Sequence, residues 1–214
     1  MKLIIQKEEL SDICIVLQGP ILYVDQIIET YSEYKKQIII STNHYTIKDI
    51  NKLKDFGFNI KLNHPANIPG KKNFNNQVIN TYNGCIWAKT NNFKFTLKIR
   101  TDLFVDNIMK LLTNFDKNCV YFSAYHNYNG GYNCEHMVFG NTEFMINLWN
   151  IPESISELAP EVQLTKKFDL IRNGEIVKYI FPILFKYDIG VEWPSHNKNL
   201  KDYQSDKLFS YEKY

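Results

Sequence analysis

The sequence predicts an α/β fold: one domain over residues 1–214, with a mostly parallel central sheet flanked by helices. Three observations carry that expectation. Short continuous apolar runs, such as residues 13–17, read as strands buried on both faces. Segments with apolar residues at helical spacing separate those runs. The resulting β-α-β-α-β order calls for right-handed crossovers and parallel pairing.

Taken in order, residues 13–17 form the first strand and end in the sharp Gln18-Gly19-Pro20 loop. Val24, Ile27, Ile28, Tyr31 and Tyr34 mark one face of a helix. Residues 37–41 are the second strand, ending in Ser41-Thr42-Asn43. Thr46 caps the next helix with Asp49 three residues on. Ile47, Ile50, Leu53 and Phe56 are its expected buried face, and Gly57 stops it. Residues 58–62 make a third short strand. Residues 63–73 hold Pro65, Pro69 and Gly70 and read as a loop. A long helix follows, with Phe74, Val78, Tyr82, Cys85, Ile86 and Lys89 in register.

Residues 95–102 then form a strand of β-branched and apolar residues that ends in a carboxylate. Asp106 is expected to cap a helix carrying Ile108, Met109, Leu111, Leu112 and Phe115. Residues 119–123 are another strand. The aromatic and amide-rich stretch 125–133 shows no periodicity and reads as a flexible loop. Residues 135–140 look like a short strand returning to the sheet. Asn141 caps a helix through Trp149, and Pro160 suits the first position of another that ends near Gly174. A strand is expected around residues 183–187. The last ~20 residues are polar and are expected to wrap the surface.

The totals exclude several classes. The 214 residues carry a formal net charge of +2, with both signs scattered rather than striped, which argues against a nucleic-acid partner. Cys14, Cys85, Cys119 and Cys134 share no CxxC spacing and read as reduced core residues. The apolar start at residues 1–5 is too short for a signal sequence, and no run is long enough to span a bilayer. The expected location is therefore cytoplasmic, with peripheral membrane contact left open. There is no GxGxxG after the first strand, no GxxxxGK[ST], no GxSxG and no HExxH.

What remains is a set of polar clusters at strand ends: Gln18-Gly19-Pro20, Ser41-Thr42, the amides Asn75, Asn76 and Gln77, and Arg100-Thr101-Asp102. In a parallel sheet they converge on the carboxyl edge, where such sheets bind ligands. Asp102 there can hold a divalent cation against a pyrophosphate. An Asp after a strand is equally a turn residue or a helix N-cap. Asn75 and Asn76 sit near a helix N-terminus, where free N–H groups favour anions.

The blocks Ile15-Val16-Leu17-Gln18-Gly19-Pro20-Ile21, Ile39-Ile40-Ser41-Thr42, Asn73-Phe74-Asn75-Asn76-Gln77 and Leu97-Lys98-Ile99-Arg100-Thr101-Asp102-Leu103 resemble the WavE family of lipopolysaccharide-synthesis proteins. Phe139-Gly140-Asn141-Thr142 and Ala159-Pro160-Glu161 are similar to that family's later blocks. The resemblance implies a glycosyltransferase of the GT-A kind, moving a sugar from a nucleoside-diphosphate sugar, UDP by analogy, to a glycan acceptor. Gln18, Gly19 and Pro20 would wrap base and ribose, with Ser41 and Thr42 nearby. Asp102 would hold Mn²⁺ or Mg²⁺ against the diphosphate.

Two departures qualify it. Arg100 stands where GT-A enzymes usually carry the first Asp of Asp-x-Asp, which weakens metal affinity and lets Arg100 meet phosphate or a neighbouring carboxylate. Asn76 replaces a common Arg, with Lys71 or Lys72 as substitutes for its charge. An inverting reaction needs a carboxylate to take the acceptor proton. Glu161, after Pro160 at a helix start, is the first candidate and Glu135 the second; an ordinary first-turn Glu is the plain alternative. The aromatics of 125–132 could stack on sugars. His136 reads as a satisfied strand histidine and Trp149 as core. The competing functions are a sugar-phosphate nucleotidyltransferase and a non-catalytic carbohydrate-binding protein on the same fold.

Overall fold

The computed structural model describes residues 3–126, 131–194, 198–199 and 209–210. A seven-stranded sheet forms its centre, in the order β10-β6-β9-β4-β1-β2-β3. These strands are β1 (Ile13–Gln18), β2 (Ile38–Thr42), β3 (Asn59–Leu62), β4 (Phe95–Arg100), β6 (Cys119–Phe122), β9 (Met137–Asn141) and β10 (Ile176–Tyr179). β1 pairs in parallel with β2 and β4, β2 with β3, and β6 with β10. Only β9 runs against its neighbours, antiparallel to β4 and β6. The mostly parallel α/β sheet expected from the sequence is therefore present. That single reversal puts the amino end of β9 at the carboxyl edge of the other strands.

Helices cover both faces. α1 (Val24–Tyr31), α2 (Ile47–Asp55), α4 (Ile108–Leu112) and α7 (Ile180–Lys186) pack with Ile13, Ile15 and Leu17 of β1 in one apolar cluster. α3 (Phe74–Thr90), α5 (Thr142–Trp149) and α6 (Pro160–Ile171) cover the other face, with Phe122, Val138 and Trp149 buried among them. Gly84 lets α3 approach β1: a Cβ there would lie 2.4 Å from Val16 Cγ1. The four cysteines are free and buried. No helix among the described residues is long and apolar enough to cross a membrane.

Several expectations are corrected. Ile47 and Phe56 stay 66% and 46% exposed; Ile50 and Leu53 alone of that face are buried in α2. The α4 cap is Asn107, whose Oδ1 accepts from Lys110 N, and not Asp106. Residues 183–186 fall in α7, with Tyr187 as its C-cap, rather than in a strand. Pro182 is the third residue of that helix, where a missing N–H costs no intrahelical bond. The strand lies earlier, at β10. The 125–133 stretch is not wholly irregular: β7 (Tyr125–His126) pairs antiparallel with β8 (Tyr132–Asn133), while residues 127–130 between them lie outside the described residues. Most of the last ~20 residues also lie outside them. Just before that stretch, β11 (Val191–Trp193) pairs with β5 (Phe104–Val105), which brings Trp193 to the sheet's carboxyl edge.

Candidate active site

A cavity of about 780 Å³ opens at that edge. Its wall includes Gln18, Gly19, Pro20, Asn76, Gln77, Arg100, Asp102, Glu135 and Glu161, all of them expected from the sequence. Four of the five buried side-chain polar atoms without a hydrogen-bond partner among the described residues belong to its wall: Gln18 Oε1, Gln77 Oε1, Glu135 Oε2 and His136 Nδ1. Buried polar groups are ordinarily paired, so orphans gathered around one cavity mark a place where a ligand supplies the partners.

The Gln18-Gly19-Pro20 loop is locked to the strand beside it. Thr101 N donates to Gln18 O at 2.9 Å, and Thr101 Oγ1 donates to Pro20 O at 2.7 Å. Gly19 has φ +136°, and a Cβ would sit 2.7 Å from Thr101 Oγ1, so glycine is required twice over. Ser41, Thr42 and Asn75 do not line the cavity. Ser41 Oγ is spent on Asn80 O, Thr42 on His44, and Asn75 clamps Ile68 and Ser154. They hold the frame instead. A relay of amides runs from Asn83 through Asn63, Asn80 and Asn43 to Asn76, each donating to the next. Such a chain fixes the Asn76 side chain in one orientation at the cavity wall.

Arg100 and Asp102 form a bidentate pair, Nε to Oδ1 and NH2 to Oδ2, both 2.8 Å. Trp193 Nε1 donates to Asp102 Oδ2 at 3.2 Å, and the Arg100 guanidinium lies 5.3 Å from the centre of the Trp193 ring. From the described residues alone this carboxylate accepts three hydrogen bonds on its two oxygens, and it is only 6% exposed. A resident Mn²⁺ or Mg²⁺ takes several oxygen ligands. The described residues contain no cluster of three acidic, His or Cys side chains that could supply them. A dication on Asp102 would also sit against the guanidinium. The donor set that the described residues supply does not fit a divalent metal. Of the two candidate substitutes for a missing cation, Lys72 lines the cavity, whereas Lys71 pairs with Glu157 at 3.9 Å.

At the amino end of β9, Glu135 Oε2 and His136 Nδ1 lie 3.6 Å apart. Beneath them Lys98, fully buried on β4, donates to Glu135 O and lies 5.4 Å from the centre of the Trp149 ring. Burial pulls the Lys98 ammonium down to about 8. Burial also drops the His136 imidazole to about 4, with the Arg100 and Lys98 charges adding to the fall, so it is neutral at pH 7. For Glu135, burial pushes upward, but the charges of His136 when protonated, Lys98 and Arg100 outweigh it and hold the carboxyl low. Glu161 moves the other way: burial and then the Glu135 charge raise it. Two neighbouring carboxylates driven apart in this manner divide into a fixed anion and a proton acceptor.

His136, Trp193, Asn43 and Lys72 are wall residues that the sequence underrated or gave only as alternatives. His136 was detectable as the neighbour of Glu135. Trp193 carried no local signal, because only chain pairing 93 residues downstream of Arg100 brings it there.

No protein-family model matches the chain, and no curated protein does. Among solved structures, the chain is similar to a 4-diphosphocytidyl-2C-methyl-D-erythritol synthase from Anaerococcus prevotii at 13% identity, covering 78% of this chain and 86% of that one, TM-score 0.49. A cytidylyltransferase from Leptospira borgpetersenii gives 12% identity, 78% and 76% coverage and TM-score 0.47. A glycosyltransferase involved in glycosylation of the major capsid of PBCV-1 gives 12% identity, 82% and 88% coverage and TM-score 0.44. At such values the likeness concerns the path of the chain and carries no activity across.

Proposed function

We propose that this protein is a glycosyltransferase that moves a sugar from a nucleoside-diphosphate sugar, with UDP as the nucleotide, to a hydroxyl of a glycan acceptor. One observation carries the reading: a single cavity holds cations, Arg100 and Lys72, together with a carboxylate, Glu161, whose proton affinity is raised. The cations suit a departing diphosphate. The raised carboxylate suits a hydroxyl that must lose its proton as it attacks. In the step proposed, the acceptor oxygen bonds to the anomeric carbon, the bond from that carbon to the diphosphate oxygen breaks, and the hydroxyl proton passes to Glu161. The bonding pair leaves with the nucleoside diphosphate. Gln18 Oε1, a buried acceptor without a partner, would receive an N–H or O–H of the nucleoside.

Nucleotidyl transfer is the alternative. There the nucleophile is a phosphate, already ionised and in need of no base, and it would enter a cavity lined, among the described residues, by three carboxylates, Asp102, Glu135 and Glu161, against the two cations. Charge therefore favours a neutral hydroxyl acceptor. The test is a thermal-shift panel of UDP-sugars, GDP-sugars and nucleoside triphosphates, followed by donor hydrolysis assays on wild type and Glu161→Gln. A UDP-sugar shift, with turnover reduced by roughly 10²–10⁴ in the variant, is expected for a lost general base. Pyrophosphate release from a triphosphate and a sugar phosphate would replace this reading with the alternative.

A further inference from the structure

We infer that the diphosphate of the donor is held by the Arg100 guanidinium, with Lys72 beside it, and that no divalent cation takes part. This rests on the glycosyltransferase reading and names how that site recognises its anion. Asp102, the carboxylate at the end of β4, is committed to Arg100 through two 2.8 Å bonds and to the Trp193 indole through a third. A metal ion would have to break that pair and then sit next to the released guanidinium. Glu135 is no better placed: it has the Lys98 ammonium on its own carbonyl, and Arg100 also acts on it. Positive charge already occupies the ground that a dication would need.

The same contacts prepare Arg100 for an anion. Its edge is pinned by Asp102 and its face lies on Trp193 at 5.3 Å. A side chain with little rotamer freedom left loses less entropy on binding. Guanidinium is planar and carries five N–H donors, so one group can hold a carboxylate and serve a phosphate together. Lys72 lines the same cavity from a backbone at φ +51°, a conformation that costs a non-glycine residue and persists where the surroundings enforce it. In this arrangement Asp102 is a positioning residue. It orients the cation and does not touch the diphosphate.

The experiment is calorimetric titration of the full chain with inorganic pyrophosphate and, separately, with UDP, in EDTA and in Mn²⁺. Mn²⁺ binding to the protein, alone and with pyrophosphate, is followed in parallel by electron paramagnetic resonance. The expected result is pyrophosphate binding in EDTA that gains nothing from Mn²⁺, the metal only competing for the free anion. Arg100→Ala weakens that binding by roughly 10–100-fold, as expected for loss of a charged hydrogen-bonding group. Arg100→Lys, which keeps the charge without the planar fork, falls between. Circular dichroism confirms that each variant is folded. Binding seen only with Mn²⁺, a Mn²⁺ signal lost in Asp102→Asn, or no pyrophosphate binding in either buffer overturns the inference. Pyrophosphate bound in EDTA without any response to nucleotide sugars would instead defeat the glycosyltransferase reading and leave the anion site standing.

Discussion

Replacing Lys98 with methionine should make this protein more stable and less active. Lys98 is fully buried, and its ammonium is pulled from the ordinary 10.5 to about 8, burial being the main cause. That fall corresponds to roughly 3 kcal/mol of cost for keeping the charge inside at neutral pH. Against this, the variant loses the hydrogen bond to Glu135 O, worth about 1 kcal/mol net, or somewhat more because a carbonyl is left unpaired. Met fits a similar volume and adds apolar contact beside Trp149. The balance is a stabilisation of about 1–2 kcal/mol at pH 7.

The pH dependence separates this account from a plain packing effect. Between pH 8 and 10.5 the unfolded chain keeps the Lys98 proton that the folded chain has given up. The unfolded state then binds more protons, so stability rises with pH through that window in the wild type. The Met variant should lack that rise. Urea unfolding of both proteins at steps from pH 7 to 9.5 measures it, and the difference between the curves cancels the buried thiols and tyrosines that both share. A variant destabilised at pH 7, or two parallel pH curves, refutes the reasoning. Activity should fall regardless of stability, because Lys98 is among the charges that keep Glu135 ionised.

His136 should confer acid sensitivity. Its folded value of about 4 lies below the ordinary 6.5, so its contribution is complete above pH 6.5 and is lost as pH falls toward 4. From pH 6.5 down to 4 the unfolding free energy of the wild type should fall by roughly 3 kcal/mol more than that of His136→Gln, measured by denaturant titration, and parallel curves would refute it. Gly84→Ala should destabilise by about 1–3 kcal/mol despite the better helix former, since its Cβ would meet Val16 Cγ1 at 2.4 Å. Thermal melts of Gly84→Ala, Val16→Ala and the double variant should show partial compensation; strict additivity would mean the two positions do not touch.

Much of the framework was legible because it rests on local rules. The apolar runs of β1, β2 and β4, the Thr46 and Asn141 caps and Pro160 at the start of α6 follow from burial and hydrogen bonding over a few residues. Convergence of the Gln18, Asn76 and Asp102 regions followed from parallel pairing, which puts every such strand end on one edge. Lys98 was opaque: a lysine inside an apolar strand reads as an outward-facing residue until the Trp149 side of the sheet is known to be covered by α5.

By itself the sequence determined the α/β class, most element positions and which strand ends carry polar groups, because these depend on periodicity and capping within one stretch of chain. Only the tertiary structure decided what those groups do. It spent Ser41, Thr42 and Asn75 on the frame, turned Asp102 toward Arg100, drew in Trp193 from far downstream and, by reversing one strand, set Glu135 and His136 on the wall of the cavity that Glu161 also lines. Hydrogen bonds and charges act through space, and a side chain's role is set by whichever partners the fold brings within about 3 Å, at any separation in sequence.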